Sequence, residues 1–115
     1  MNPGKYNITL WQGSTWSVTP VWKINGVAVD VTGYSAKMQV RTDASSASVI
    51  VELSSANGRI VVGTTDGSFA LTLSNTVTAA LAEGQYVYDL EVTAPDGTVT
   101  KLLRGAFSVV PEVTR

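Results

Sequence analysis

Residues 81–88 have the sequence LAEGQYVY, and no other segment is as informative about the fold. The overlapping segment 76–81 favours one helical turn, because Ala79, Ala80 and Leu81 have high helix propensity. Gly84 ends that turn, and Tyr86 then opens a predicted strand. A helical turn, a glycine and a tyrosine in this order form a tyrosine corner, in which the Tyr86 hydroxyl hydrogen-bonds back to the backbone of the preceding corner.

Alternation of apolar and polar residues, the pattern of half-buried strands, recurs over the rest of the chain and is clearest in residues 34–42. Turn residues divide the chain into predicted strands at 5–10, 15–23, 27–30, 34–42, 48–53, 59–62, 68–73, 85–93 and 98–110. Pro20 indicates an edge or a bulge in the second of these strands, because proline cannot donate a hydrogen bond to a sheet. Gly105 indicates a bulge or a bend in the last of them.

Seven or more short strands with turns about every 8–12 residues are typical of a β-sandwich. Together with the tyrosine corner, this pattern predicts an all-β, immunoglobulin-like β-sandwich of about 7–9 antiparallel strands with one short helical turn. A chain of 115 residues is long enough to bury one core without disulfides. We therefore expect a single domain over residues 1–115, with 1–4 and 111–115 as flanking tails.

Three aromatic residues are expected to pack in the core. Tyr88 takes the position where antibody domains carry the second cysteine of their inter-sheet disulfide, and its ring would fill that space. Trp16 and Trp22 lie on the presumed core face of the second predicted strand, and one of them is the predicted central aromatic. Gly97 is expected to take the left-handed position of the turn at 94–97.

One face of the predicted sheet is polar and charged. The turn at 94–97 sets a hairpin register that puts Glu91 opposite Lys101, a complementary cross-strand pair. The strand predicted at 34–42 would flank the same hairpin and bring Lys37 and Arg41 close to its acidic side chains. We expect this face to be solvated and self-neutralising rather than functional.

Trp11, Val87 and Leu103 are the apolar residues expected to face outward. Trp11 follows Leu10 at a strand end and points to the opposite side of the strand, and tryptophan is enriched at protein interfaces. The hairpin register places Val87 and Leu103 on the outer face as well. We predict these three as partner-contact residues, on an apolar patch or beside an edge open to strand addition.

The composition excludes several kinds of site. The chain has no His and no Cys, which removes disulfides, thiol catalysis and the usual activator of a nucleophilic serine. Asp30, Asp66 and Asp96 each stand alone beside turn residues, where Asp normally hydrogen-bonds its own backbone, and only Asp30 is a candidate for a metal site. We predict no catalytic residue, no cofactor and no bound metal.

Catalysis by paired carboxylates is also not expected. Asp89 and Glu91 share one strand face about 7 Å apart, a spacing that glycosidases use. They lie beside Lys and Arg on an open strand, without the apolar or concave surroundings that an acid catalyst needs. The net charge of −1 argues against nucleic acid as a partner, and no apolar run approaches the roughly 20 residues of a membrane helix.

The order of motifs along the chain resembles a family of small immunoglobulin-like proteins from tailed bacteriophages and prophages. These are similar to the N-terminal modules of upper-baseplate and tail-fibre adaptor proteins. The matching segments are 12–16 (QGSTW), 29–34 (VDVTGY), 38–41 (MQVR), 81–91 (LAEGQYVYDLE), 96–99 (DGTV) and 103–109 (LRGAFSV). In the longer relatives a C-terminal extension carries the assembly contacts, whereas this chain stops at Arg115.

The resemblance implies a virion structural protein that is synthesised in the cytoplasm of the bacterial host. Its partners would be other virion proteins of the tail, baseplate, fibre or capsid, bound in multiple symmetric copies. The leading hypothesis is a tail or baseplate adaptor that docks a fibre or receptor-binding component. One alternative is a capsid decoration protein. An alternative of another class is a carbohydrate-binding module that uses Trp11 as an aromatic platform.

Overall fold

The computed structural model describes residues 4–111, and within them it has eleven β-strands and one short helix. In chain order these are β1 (Gly4–Lys5), β2 (Ile8–Trp11), β3 (Trp16–Val18), β4 (Lys23–Ile24), β5 (Val27–Ala28), β6 (Ser35–Arg41), β7 (Val51–Ser54), β8 (Ile60–Val62), β9 (Phe69–Leu73), α1 (Asn75–Ala79), β10 (Gly84–Thr93) and β11 (Val99–Val110). Of the predicted tails, Gly4 belongs to β1 and pairs with Leu103, while residues 1–3 and 112–115 lie outside the described residues.

The strands form two packed sheets and a separate hairpin. The larger sheet has the order β1-β11-β10-β6-β7, with β2 also paired to β11; the smaller has the order β3-β9-β8; and β4 pairs with β5. In immunoglobulin terms β6, β10 and β11 correspond to strands C, F and G and β7 to C′, whereas β3, β9 and β8 correspond to B, E and D. The protein is an all-β, immunoglobulin-like sandwich, as predicted.

One hydrophobic core lies between the two sheets. Its largest fully buried side chains include Phe69 from the smaller sheet and Phe107 from the larger. The Phe107 ring makes edge-to-face contacts with Trp16 and Tyr88, each with ring centroids 6.4 Å apart. Tyr88 fills the core as predicted. Trp16 and Trp22 pack against the core only partly buried, so the prediction of a central tryptophan is wrong and the two phenylalanines take that place.

The tyrosine corner is present. The Ser74 hydroxyl caps α1 by accepting from the Val77 backbone amide, and Gly84 opens β10 with a φ of 149°. The Tyr86 hydroxyl donates to the carbonyl oxygen of Ala82 at 2.8 Å. This bond ties the corner to the first residues of β10 and confirms the tyrosine corner predicted from residues 81–88.

The predicted first strand is broken into β1 and β2 at Tyr6 and Asn7. Both pieces run parallel to β11, which differs from the antiparallel pairing predicted throughout. A side chain at Gly105 would clash with the Tyr6 carbonyl, so Gly105 serves this close approach and is not a bulge. The Tyr88 hydroxyl donates to the same carbonyl at 2.5 Å. Because of the break, Tyr6 is exposed instead of sharing the buried face of Ile8.

The β-bulge lies elsewhere in the last strand. The register of β10 and β11 shifts between Leu90 and Glu91, so that Leu90 pairs with Leu103 and Glu91 with Lys101. Leu102 is the extra residue in β11, and the side chains of Leu102 and Leu103 therefore both turn toward the core. The prediction that Leu103 faces outward is wrong, because counting without this bulge assigns it to the opposite side.

The second predicted strand also ends early. β3 pairs only with β9 and is an edge of the smaller sheet. Pro20 follows it and its carbonyl accepts a hydrogen bond from the Phe69 amide. Val21 then bridges Ser68 before the chain enters the β4–β5 hairpin. The edge position predicted from Pro20 is confirmed. Among the described residues no helix is long and apolar enough to cross a bilayer.

Candidate functional site: the outer face of the larger sheet

The outward side chains of β6, β10 and β11 form rows across the larger sheet. The register aligns Lys37, Glu91 and Lys101 in one row, and Gln39, Asp89 and Arg104 in the next, with Lys5 of β1 beside Arg104. A third row joins Arg41, Val87 and Ala106. Alternation along β6 and β10, and along β11 on either side of its bulge, sends these side chains to solvent and their neighbours to the core.

Lys101 forms ion pairs with both acidic residues of the central strand. Its ammonium lies 2.6 Å from a Glu91 carboxylate oxygen and 3.3 Å from one of Asp89. The hydrogen bond to Glu91, with the nearby charge of Asp89, raises the pKa of Lys101 above its ordinary value. The predicted pairing of Glu91 with Lys101 is confirmed, and the same lysine is the ion-pair partner of Asp89.

Arg41 is held in place by neutral partners. Its guanidinium donates to the Ser46 carbonyl at 2.5 Å and to the Gln39 side-chain oxygen at 2.6 Å. Gln39 in turn donates to a Glu52 carboxylate oxygen at 2.9 Å. This chain of bonds orders Arg41, which has no carboxylate within ion-pair distance in the described part of the chain.

Three other cations of this face have no carboxylate within 4.0 Å among residues 4–111: Lys5, Lys37 and Arg104. Lys37 is the register partner of Glu91, but Glu91 bonds to Lys101 instead. The expectation of a self-neutralising face is therefore wrong. The face keeps an excess of positive charge.

These residues line a shallow groove of about 1000 Å³. It contains five of the eight Lys and Arg residues of the chain but only two of its nine Asp and Glu residues. The chain as a whole carries a net charge of −1. Charge is thus segregated, with a cationic groove on a molecule that is otherwise acidic. We call this surface, lined by Lys5, Lys37, Arg41, Asp89, Glu91, Lys101 and Arg104, the cationic groove.

The apolar end of the same face lies along β2 and the end of β11. Trp11 is 55% exposed and pairs in register with Val110, at the end of the face away from Lys101. Val87 is also exposed and points to this face from β10. The structure thus brings Trp11 and Val87 onto one surface and removes Leu103 from it.

The free edge of β7 is closed to strand addition. The Glu52 carbonyl accepts from the Asn57 amide group at 3.0 Å and from the Arg59 guanidinium at 2.9 Å. The Ser54 amide donates to the Asn57 side-chain oxygen at 3.0 Å. Side chains thus occupy the backbone groups that a docking strand would need at this edge, which leaves the outer face as the accessible surface of this part of the sheet.

The isolated aspartates serve their own turns. Asp30 accepts from the hydroxyl and the amide of Thr32 at 2.6 and 3.0 Å, and these bonds lower the pKa of Asp30. Asp66 and Asp96 accept from Ser68 and Thr98 in the same way. Within the described part of the chain no three acidic residues lie close enough to hold a metal ion.

Sequence reasoning did not identify Lys5, Arg104 and Gln39 as parts of this surface. Lys5 reaches the groove only because β1 runs parallel to β11, a pairing between opposite ends of the chain that no local pattern encodes. Arg104 turns outward because of the bulge at Leu102. A signal was available for Gln39, since it shares the polar side of the clearest predicted strand with Lys37 and Arg41.

No protein-family model matches the chain, and no curated protein matches it. Among solved structures it is similar to CopC from Methylosinus trichosporium OB3b, with 17% sequence identity, a TM-score of 0.48, and coverage of 98% of this chain and 88% of that one. It is also similar to murine CRIg, with 16% identity, a TM-score of 0.44, and coverage of 92% of each chain.

Proposed function

We propose that this chain is a non-enzymatic structural module of a tailed-bacteriophage virion, a tail or baseplate adaptor that docks a fibre or receptor-binding component. The order of its motifs along the chain, which resembles the adaptor modules, supports the phage assignment. The observation that carries the docking role is Trp11, a large aromatic side chain more than half exposed on the outer face of the larger sheet.

A tryptophan in this position is suited to an interface. Its register partner on the same face, the half-buried Val110, extends the apolar surface, whereas Val87 pairs with Ala106 further along β11, beyond Ser108. Aromatic residues that become buried when a complex forms supply much of the affinity of protein interfaces, and polar residues usually surround them. The charged groove lies further along the same face and offers polar contacts beside this anchor. The adaptor contacts its partner through this face in each of several symmetric copies.

The test is incorporation into particles made by the phage or prophage that encodes the chain. Trp11→Ala is compared with Val61→Ala, which changes a residue 62% exposed on the smaller sheet. We expect Trp11→Ala to lower the amount of the chain in purified particles at least tenfold, because losing a hot-spot contact costs about 2 kcal/mol or more of binding. Val61→Ala should incorporate like the unmodified chain.

Gold-labelled antibody on the same particles locates the chain. Label at the tail tip or baseplate is the expected result. Label over the head would replace the adaptor role with capsid decoration, and absence of the chain from the particles would contradict a virion role. Binding of purified chain to host-surface glycans, lost in Trp11→Ala, would favour a carbohydrate-binding module instead.

A further inference from the structure

We propose that the cationic groove binds an acidic, extended polypeptide segment of the docking partner. This inference rests on the proposed adaptor function and adds the chemistry of the partner. It begins from the charge distribution, because five cations and two acids in the groove stand against a chain whose net charge is −1. Association of such a surface is steered by a partner of opposite sign.

The cations form two rims on either side of the central strand. One rim is on β6, where Lys37 and Arg41 are four residues and therefore about 13 Å apart. The other is on β11 and β1, where Lys5 and Arg104 are register partners. Asp89 lies on β10 between the rims and forms an ion pair with Lys101. Acidic side chains of a segment lying along β10 can reach both rims.

Most of these cations are available without breaking an internal ion pair. Lys5, Lys37 and Arg104 are exposed and have no carboxylate within 4.0 Å in the part of the chain that the structure covers. Binding to them therefore requires no internal contact to be given up. Arg41 is already ordered by Ser46 and Gln39, so less conformational entropy is lost when it contacts a ligand.

A polypeptide suits this groove better than a nucleic acid. The carboxylates of Asp89 and Glu91 lie along its floor, where a backbone with a phosphate at every nucleotide would pass directly over them. The acidic side chains of a peptide can instead extend sideways to the two cationic rims. The only aromatic residue among the lining residues is Tyr88, whose ring is packed in the core, so the groove has no platform for base stacking. A peptide instead has backbone amides that can donate to these carboxylates and to Gln39.

The probe is a fluorescein-labelled decapeptide of alternating Glu and Ser, with binding to the full chain followed by fluorescence anisotropy in 25 mM and 300 mM NaCl. We expect Lys37→Gln, Arg104→Gln and Lys5→Gln each to weaken binding about 1.5- to 5-fold at low salt, the range for exposed ion pairs. The affinity of the triple variant should fall by the product of the three single-variant factors. High salt should weaken binding to the unmodified chain and reduce the differences between variants.

Lys23→Gln is the matched control, because Lys23 is also an exposed strand lysine but lies on β4, away from the groove. It should change the affinity less than 1.5-fold. Equal affinity of the triple variant and the unmodified chain would overturn the proposal. Tighter binding of a single-stranded DNA oligomer with the same number of charges would also overturn it. The particle assay with Trp11→Ala is independent, so a groove that binds no acidic peptide in a chain that still enters particles contradicts this inference alone.

Discussion

The outer faces of the two sheets have opposite chemistry although they enclose one core. The three strands of the smaller sheet, β3, β8 and β9, contain no charged residue, and their outward positions are small or apolar, such as Thr72 and Val61. The larger sheet holds the ion pairs, the cationic groove and Trp11. The charged residues of the sandwich strands are thus concentrated on the sheet through which we propose that the chain contacts its partner.

If the faces differ only in surface chemistry, the core beneath them should be shared equally. Phe107→Ala under the larger sheet and Phe69→Ala in the smaller remove side chains that are both 0% exposed. Each should lower the free energy of unfolding by about 3–5 kcal/mol, because it removes buried area and leaves a cavity. Urea denaturation measures both. A loss below about 1 kcal/mol for either variant would mean that the sheets do not share one core.

Tyr88→Phe tests how the first strand is held against the larger sheet. The Tyr88 ring is buried, and burial raises the pKa of Tyr88, so the hydroxyl stays protonated and donates to the Tyr6 carbonyl. Removing the donor should destabilise the fold by about 1–2 kcal/mol. Among residues 4–111 no strand of the smaller sheet is held by such a side-chain hydrogen bond, so hydrogen exchange in residues 4–11 should rise more than in β9. Unchanged exchange near Tyr6 would contradict this role.

These two regions also show how far sequence patterns could predict the fold. The tight turn at 94–97 correctly set Glu91 opposite Lys101, because both the turn and the pair are local. The bulge at Leu102 lies one residue beyond Lys101 and has no Gly or Pro to mark it. The predicted orientation of the Leu103 side chain was therefore wrong. The role of Gly105 depends on Tyr6, almost a hundred residues away in the chain, and no short-range pattern could reveal it.

The candidate site was predictable to a similar extent. Alternation placed Lys37, Asp89 and Glu91 on one face, and Trp11 was correctly expected to be exposed. The positive excess was not predictable, because it depends on which acid Lys101 bonds in three dimensions and on the parallel pairing that brings in Lys5. Charge counting along strands therefore suggested neutrality where the folded sheet has a surplus.

The central ion pairs should contribute little to stability. Lys101→Gln removes both salt bridges, but the Lys101 side chain is 49% exposed, so solvent screening keeps its contribution below about 1 kcal/mol. The small difference should disappear in 1 M NaCl. A loss above about 2 kcal/mol that persists in high salt would mean that these charges act as structural elements of the larger sheet.

Acid should destabilise the protein through its turns, which lie outside both sheet faces. Hydrogen bonds from Thr98 lower the pKa of Asp96 below its ordinary 3.8. A folded-state pKa below the unfolded one adds stability above pH 3.8, and that stability is lost as the pH falls through the folded value. Asp96→Asn keeps an acceptor oxygen but does not titrate, so its thermal midpoint should fall less between pH 5 and pH 2.5. An identical acid response would contradict this assignment.

The absence of cysteine allows one direct comparison of the two faces. Thr9→Cys places a single thiol beside Trp11 on the larger sheet, and Thr72→Cys places one at a position of the smaller sheet that is also exposed. Each is labelled with a maleimide polyethylene glycol before incorporation into particles is measured. We predict that the label at position 9 blocks incorporation and that the label at position 72 does not. Blocking only at position 72, or equal incorporation of both labelled chains, would contradict docking through the larger sheet.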